Sequence, residues 1–227
     1  MVLAGWEGGS AAFAAVDEYS DIDLAYLVAD DASPELLYAS AEQALETVSH
    51  VTGSHDSGPG RYYMLSDGRE YFLVDLSFVR AGAPDHYLEV ERHGHVVPLF
   101  DKGNWLRPRP LDHEALAAKR MARFRELEVW FIPSQCFPRK AILRGQHAEA
   151  MNAYWMATIK PLVELLRMRH APARWDFGVR YLERDLPAPV YDQVRGLAFV
   201  RDLKDLEAKL AVASAWGATL LEELRPA

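Results

Sequence analysis

Apolar residues along this chain fall into short blocks separated by turn-forming clusters. Val2 to Trp6 is an apolar run closed by Gly8-Gly9-Ser10, and Ile22 to Ala29 is a second; both have the length and flanks of buried strands. Ala11 to Val16, between them, is long enough for one short helix. Ser33-Pro34-Glu35 places proline at a first helical position, and Leu36, Leu37, Ala41, Ala44, Leu45 and Val48 follow at helical spacing, which predicts a helix. Thr52 to Gly60 is rich in glycine, serine and histidine and reads as a loop. Arg61 to Ser66 and Glu70 to Val79 flank Asp67-Gly68, a hairpin pattern that predicts two antiparallel strands. Pro84 to Glu91 predicts a short helix, and His95 to Phe100 a strand ended by Asp101-Lys102-Gly103.

After Pro108 and Pro110 helical periodicity takes over, from Leu111 to Trp130, Pro138 to His170 and Leu203 to Leu224. Pro161 lies inside the middle segment and is expected to kink or divide it near Ile159. The pattern predicts an α+β chain: a small mixed β-sheet with flanking helices over residues 1–108, then an all-helical unit over 109–227.

Composition narrows the class. The 227 residues are 50% hydrophobic and 26% charged, enough for substantial cores and unlike disordered or collagen-like chains. The single cysteine, Cys136, cannot form an internal disulfide, and no basic-then-apolar leader precedes Ala4-Gly5, so a cytoplasmic protein is expected. Charges interrupt every apolar stretch before the roughly 20 residues a membrane-spanning helix needs, so no membrane partner is expected. The net charge of −8 is uneven: residues 1–108 hold 18 acids and 6 bases, residues 109–227 hold 15 and 19. An acidic front half repels polyanions, which argues against duplex nucleic acid as a partner, and the asymmetry points to two modules.

The chemistry concentrates in GGSAAFAAVDEYSDIDL, where Asp21-Ile22-Asp23 follows Ser10 by eleven residues. Strand side chains alternate, so Asp21 and Asp23 would share a face while Ile22 turns to the core. Two carboxylates that close are costly without a cation, and hard oxygen ligands suit Mg2+ or Mn2+; solvation at a strand start is the plainer alternative. A Gly-Gly-Ser turn lets backbone N–H groups and a hydroxyl approach phosphates, with a helix N-terminus adding positive partial charge, although such turns are also ordinary loop. Asp75 interrupts the run Tyr71 to Val79, where a buried carboxylate needs a partner and an outward one, beside Ser77, would be solvated. Three carboxylates would allow two divalent ions to organise a triphosphate, with one carboxylate as base.

The order strand, Gly-Ser, helix, Ser-Asp-Ile-Asp-Leu, helix, hairpin with a later Asp resembles the DNA polymerase β-type nucleotidyltransferase superfamily, in the style of bacterial aminoglycoside and lincosamide nucleotidyltransferases. The resemblance covers about 100 residues. It implies that Gly9 and Ser10 contact the phosphates of ATP or another nucleoside triphosphate, that Asp21 and Asp23 hold the metals, and that Asp75 is the third carboxylate and general base. It also implies an all-helical C-terminal module that binds a small-molecule acceptor. Two departures stand out: Ala14 replaces a frequent glycine, and the sequence begins at the first strand where a helix usually precedes it, which points either to a misassigned start or to an exposed flank that another subunit, as in a homodimer, would cover.

In the helical half, Gln146, Glu149, Asn152, Met156 and Lys160 fall near one face. Some resembling enzymes use a helical-domain glutamate as base, and Glu149 matches best, with a solvated face as the alternative. Arg139, Lys140 and Arg144 would supply positive charge to a triphosphate or departing pyrophosphate, unless they serve surface ion pairs. Asp176-Phe177-Gly178 lacks the other kinase signatures, and Trp175 and Tyr181 read as packing residues. His93 and His95 lack further zinc ligands. Transfer of AMP from ATP to a small-molecule hydroxyl, on an antibiotic for instance, is the leading expectation. Nucleotidylation of a protein and a non-catalytic nucleotide sensor are the alternatives, the first weakened because the Arg-x4-6-His ribonuclease signature of helical HEPN partners does not occur within residues 109–227.

Overall fold

The computed structural model describes residues 1–58, 60–83 and 87–225. It divides into two compact units, Met1–Leu111 and Asp112–Ala227.

The first unit is a mixed sheet with flanking helices. Six strands, β1 (Val2–Glu7), β2 (Ile22–Val28), β3 (Val51–Asp56), β4 (Gly60–Leu65), β5 (Val74–Arg80) and β6 (Val97–Asp101), take the order β3-β4-β5-β2-β1-β6. Only β2 and β5 pair in parallel; the other neighbours are antiparallel. The apolar runs that mark β1 and β2 are buried because these strands are central, with clusters on both faces. One face gathers Ala4, Trp6, Ala25, Leu27 and Val79. The other gathers Tyr63, Val74 and Leu76 under Tyr38, Ala41 and Leu45 of helix α2 (Pro34–Glu46). Ser33 caps α2 as its spacing predicts, accepting from the Leu36 N–H at 3.4 Å, with Pro34 inside the first turn. Two further helices are short, α1 (Gly9–Ala12) and α3 (Val90–His93).

Several local expectations are corrected. The glycine- and serine-rich stretch after Thr52 is not loop: it forms edge strand β3, whose residues are mostly exposed and so need no apolar alternation. Asp67-Gly68 does not make a two-residue hairpin. The tight turn precedes β4, where the Ser57 N–H donates to the Gly60 carbonyl at 2.9 Å, and Asp67-Gly68 lies in the longer connection to β5, which starts at Val74 rather than Glu70. The helix expected over Pro84–Glu91 falls partly on residues 84–86, outside the described residues; the helix found there begins at Val90. The strand near His95 begins at Val97, and Pro98 is accommodated because β6 is an edge. It lies beside β1, so β1 is not the edge strand.

The second unit is helical: α4 (His113–Ser134), α5 (Cys136–Leu143), α6 (His147–Tyr154), a π-helical stretch Trp155–Ile159, α7 (Lys160–His170), a 3-10 turn Pro172–Arg174, α8 (Leu182–Asp185), α9 (Ala188–Ala198) and α10 (Leu203–Glu223). Helix α7 is buried from Pro161 through Met168, and Leu162, Val163, Leu165 and Leu166 sit in the core. Such an all-round buried helix needs partners for its polar residues. Arg123 provides one, donating through Nε to Glu164 at 2.7 Å. At Gly217 of α10 a Cβ would stand 2.2 Å from the Phe131 ring, so glycine permits the close approach of α10 to α4. No helix among the described residues is long and apolar enough to cross a membrane.

The long helix expected from Pro138 to His170 is divided twice. Gly145, at φ +68°, separates α5 from α6. Pro161 then removes the N–H that would reach the carbonyl of Ala157, and the chain widens into the π-helical stretch, which ends at Ile159 as the proline predicts. Gln135 repairs the gap. Its Nε2 donates to the Ala157 carbonyl at 2.9 Å, and its Oε1 accepts from the Thr158 hydroxyl at 2.7 Å.

The connection after α7 is organised by an ion cluster built on the buried Arg167–Asp185 pair. Arg167 donates through Nε to the Gly178 carbonyl at 2.6 Å, through Nη1 to Asp185 at 2.6 Å, and through Nη2 to the Arg180 carbonyl. Arg174 donates to the other Asp185 oxygen at 2.5 Å. Burial alone would raise the Asp185 carboxyl, but the hydrogen bonds and charges of Arg174 and Arg167 prevail and hold it below its ordinary value. A depressed folded-state value contributes stability above the unfolded carboxylate range, lost as pH falls through the folded value. Asp185→Asn should therefore lower unfolding stability by roughly 3–5 kcal/mol at neutral pH. Urea denaturation across pH should show the gap between wild type and variant narrowing below about pH 4.

Candidate active site

The parallel pairing of β2 and β5 sets the site. Asp23 stands opposite Asp75 in register. Register partners share a face, and adjacent strands lie roughly 4.8 Å apart, so the two carboxylates leave the same side of the sheet as neighbours. The row continues through Tyr62, opposite Asp75, and His55, opposite Tyr62. On its other side the Gly8 N–H donates to the Asp23 carbonyl at 2.8 Å, which brings the Gly8-Gly9-Ser10 turn against Asp23.

Glycine is required at position 9 twice over. Its φ is +52°, and a Cβ there would stand 1.7 Å from Asp23 Oδ2. The turn and the Asp23 carboxylate thus occupy one small space, open only because the side chain is missing.

Asp21, at the entry of β2, accepts the Leu73 N–H on Oδ1 at 2.9 Å. It ties the starts of the two parallel strands together at the end of the sheet that carries Asp23 and Asp75. Among the described residues no three His, Cys, Asp or Glu side chains gather closely enough to hold a metal ion. What the fold does bring together is the Asp23 and Asp75 pair, whose like charges and hard oxygens fit a divalent cation.

The helix expected over Ala11–Val16 is one turn, Gly9–Ala12. It stops because Ala14 enters the left-handed region at φ +51°, and the Phe13 and Ala15 N–H groups both return to the Ser10 carbonyl, at 3.2 and 3.0 Å. Asp17 and Ser20 then close a separate turn through their side chains. Any anion at Gly9-Ser10 would therefore meet local N–H groups rather than the dipole of a long helix. A left-handed alanine costs about 1–2 kcal/mol, so its presence where the resembling family often has glycine carries a backbone penalty.

Other candidates lie in the helical unit. Arg139 and Lys140 belong to α5, Arg144 follows it, and Glu149 is on α6; all four are exposed, as are Gln146, Asn152, Met156 and Lys160. His93 packs edge-on against Tyr87 with ring centroids 5.3 Å apart, and the His95 N–H donates to the Ala12 carbonyl at 2.8 Å, which steadies the end of α1. Tyr62 and His55 were missed from sequence, because only strand pairing sets them in line with the acids.

Opposite stability changes are expected at the two left-handed positions. Gly9→Ala should lower the melting temperature and displace Asp23, whereas Ala14→Gly should raise it, with a gain in unfolding free energy of up to about 1 kcal/mol once the flexibility of the unfolded glycine is offset. Calorimetry checks both signs.

No family model and no curated protein matches the chain. The chain is similar to an aminoglycoside 6-adenyltransferase from Bacillus subtilis, with 13% identity and a TM-score of 0.41 over 93% of this chain and 86% of that one. It is also similar to the Elizabethkingia meningoseptica CdnE cyclic dinucleotide synthase with GTP and Apcpp, with 11% identity and a TM-score of 0.31 over 96% of this chain and 84% of that one.

Proposed function

We propose that the protein is a nucleotidyltransferase that moves AMP from ATP to a hydroxyl of a small molecule. The observation that carries this reading is the Asp23 and Asp75 register pair with the glycine turn against Asp23. Asp23 and Asp75 would hold Mg2+ or Mn2+, which when bound would neutralise triphosphate charge and ease loss of the acceptor proton; Asp21, which accepts the Leu73 N–H at the strand entry, would join them only by turning toward the pair.

The N–H groups of the Gly9-Ser10 turn, with the Ser10 hydroxyl, would bind and orient phosphate oxygens. Asp75 would accept the proton of the acceptor hydroxyl as its oxygen bonds to the α-phosphorus and the bond to the pyrophosphate oxygen breaks. Arg139, Lys140 and Arg144 offer charge for the triphosphate or departing pyrophosphate, and Glu149 is an alternative base. The acidic surplus of the first half favours a cationic or neutral acceptor over an anionic one.

The test is incubation with ATP, Mg2+ and pools of hydroxylated small molecules, antibiotics included, with mass spectrometry for an AMP adduct and a parallel assay of pyrophosphate release. Asp23→Asn and Asp75→Asn are each expected to lower transfer by about 10²- to 10⁴-fold with circular dichroism unchanged. AMP found on a protein would favour the protein-modifying alternative, and ATP binding without pyrophosphate release the sensor. Full activity in Asp75→Asn would remove it as base.

A further inference from the structure

The helical unit contains a cleft the transferase reading does not use. It has a volume of about 160 Å³ and lies between the π-helical stretch, the segment leading into α8, and α9. Buried Ile159, Leu182 and Val194 line it, together with the rings of Trp155 and Tyr191. Charge is confined to two exposed side chains, Glu183 and Arg195. Phe199, 75% exposed, stands at the rim of the cleft.

Size and chemistry select the occupant. An apolar cavity of about 150 Å³ holds benzene, whereas drug-sized ligands need roughly 300 Å³ or more, so this cleft has room for one ring. Glu183 can accept a hydrogen bond and Arg195 can donate one, a combination that matches a hydroxyl, which does both. The Arg195 pairing with Asp192, at 3.0 Å and with both side chains 58% exposed, is a weak surface pair that a ligand can displace. The π-helical widening supplies both Trp155 and Ile159 to the wall, and such widenings recur at functional sites.

We infer that this cleft is a small-molecule site for a compound bearing one apolar ring and a neutral hydroxyl substituent. It stands independently of the transferase reading, since its residues include none of those assigned to phosphate, metal or proton transfer. Such a compound would be either an acceptor or an effector; the shared chemistry is the ring with its hydroxyl.

The test is ¹⁹F NMR on the full chain without ATP or metal, with fluorobenzene and 4-fluorobenzyl alcohol as probes. Wild type should give saturable shifts for both, with Kd of order millimolar and the alcohol tighter. Ala198→Trp, which fills the cleft, should weaken both about tenfold or more. Arg195→Ala should weaken the alcohol several-fold and leave fluorobenzene unchanged. Should Ala198→Trp fail to fold, Phe199→Ser at its exposed position should still weaken both probes about threefold. Adding ATP and Mg2+ separates the sources: AMP on the alcohol marks an acceptor, and altered transfer to another acceptor marks an effector. Absence of saturable shifts in folded wild type, or shifts unchanged in Phe199→Ser and in folded Ala198→Trp, overturns the site.

Discussion

Parallel pairing of β2 with β5 is the constraint on which the first unit depends. Parallel strands are normally buried on both faces, and the two apolar clusters of this sheet meet that demand on either side of the pair. The same register that aligns Leu24 with Leu76 in the core aligns Asp23 with Asp75. A slip of one residue would set Asp23 opposite an apolar neighbour on β5, break the alignment of Leu24 with Leu76 and separate the acids. Core packing and placement of charge are therefore one requirement, and the acids sit side by side because hydrophobic residues further along the strands fix where they stand.

In the helical unit the corresponding constraint is burial of α7. A helix hidden on all sides cannot leave polar groups unanswered, and this one carries Glu164 and Arg167. Arg123 answers the first, while Asp185 and the carbonyls of Gly178 and Arg180 answer the second. The connection between α7 and α8 is a succession of tight turns, and those carbonyls converge on one guanidinium.

Much of this was legible in the sequence where a signal is local. The apolar runs of β1 and β2, the Ser33-Pro34 start of α2 and the interruption by Pro161 each follow from residues within one turn or strand. Strand β3 was hidden because an exposed edge strand needs no apolar rhythm, and Asp67-Gly68 misled because a turn dipeptide fits a longer connection equally well. Helices α8 and α9 escaped because Arg167 and Asp185, which organise the chain before α9, lie 18 residues apart. At the candidate site the acid and glycine motifs were readable as motifs. The neighbourly arrangement of Asp23 with Asp75, the alignment of Tyr62 and His55, and the attachment of Asp21 to the Leu73 amide all depend on pairing between distant segments.

Gln135 and Pro161 show what such long-range pairing implies for the history of a sequence. A proline within a helical run leaves a carbonyl orphaned, and here an amide at the junction of α4 and α5 acts as its splint. The two positions are thus thermodynamically linked: Gln135, with the Ser134 hydroxyl beside it, serves the Ala157 carbonyl, so its loss costs more while residue 161 lacks an N–H, and the proline costs more once the splint is gone. Substitutions at these sites should be accepted in one order and rejected in the other, which makes the pair a one-way gate on sequence drift.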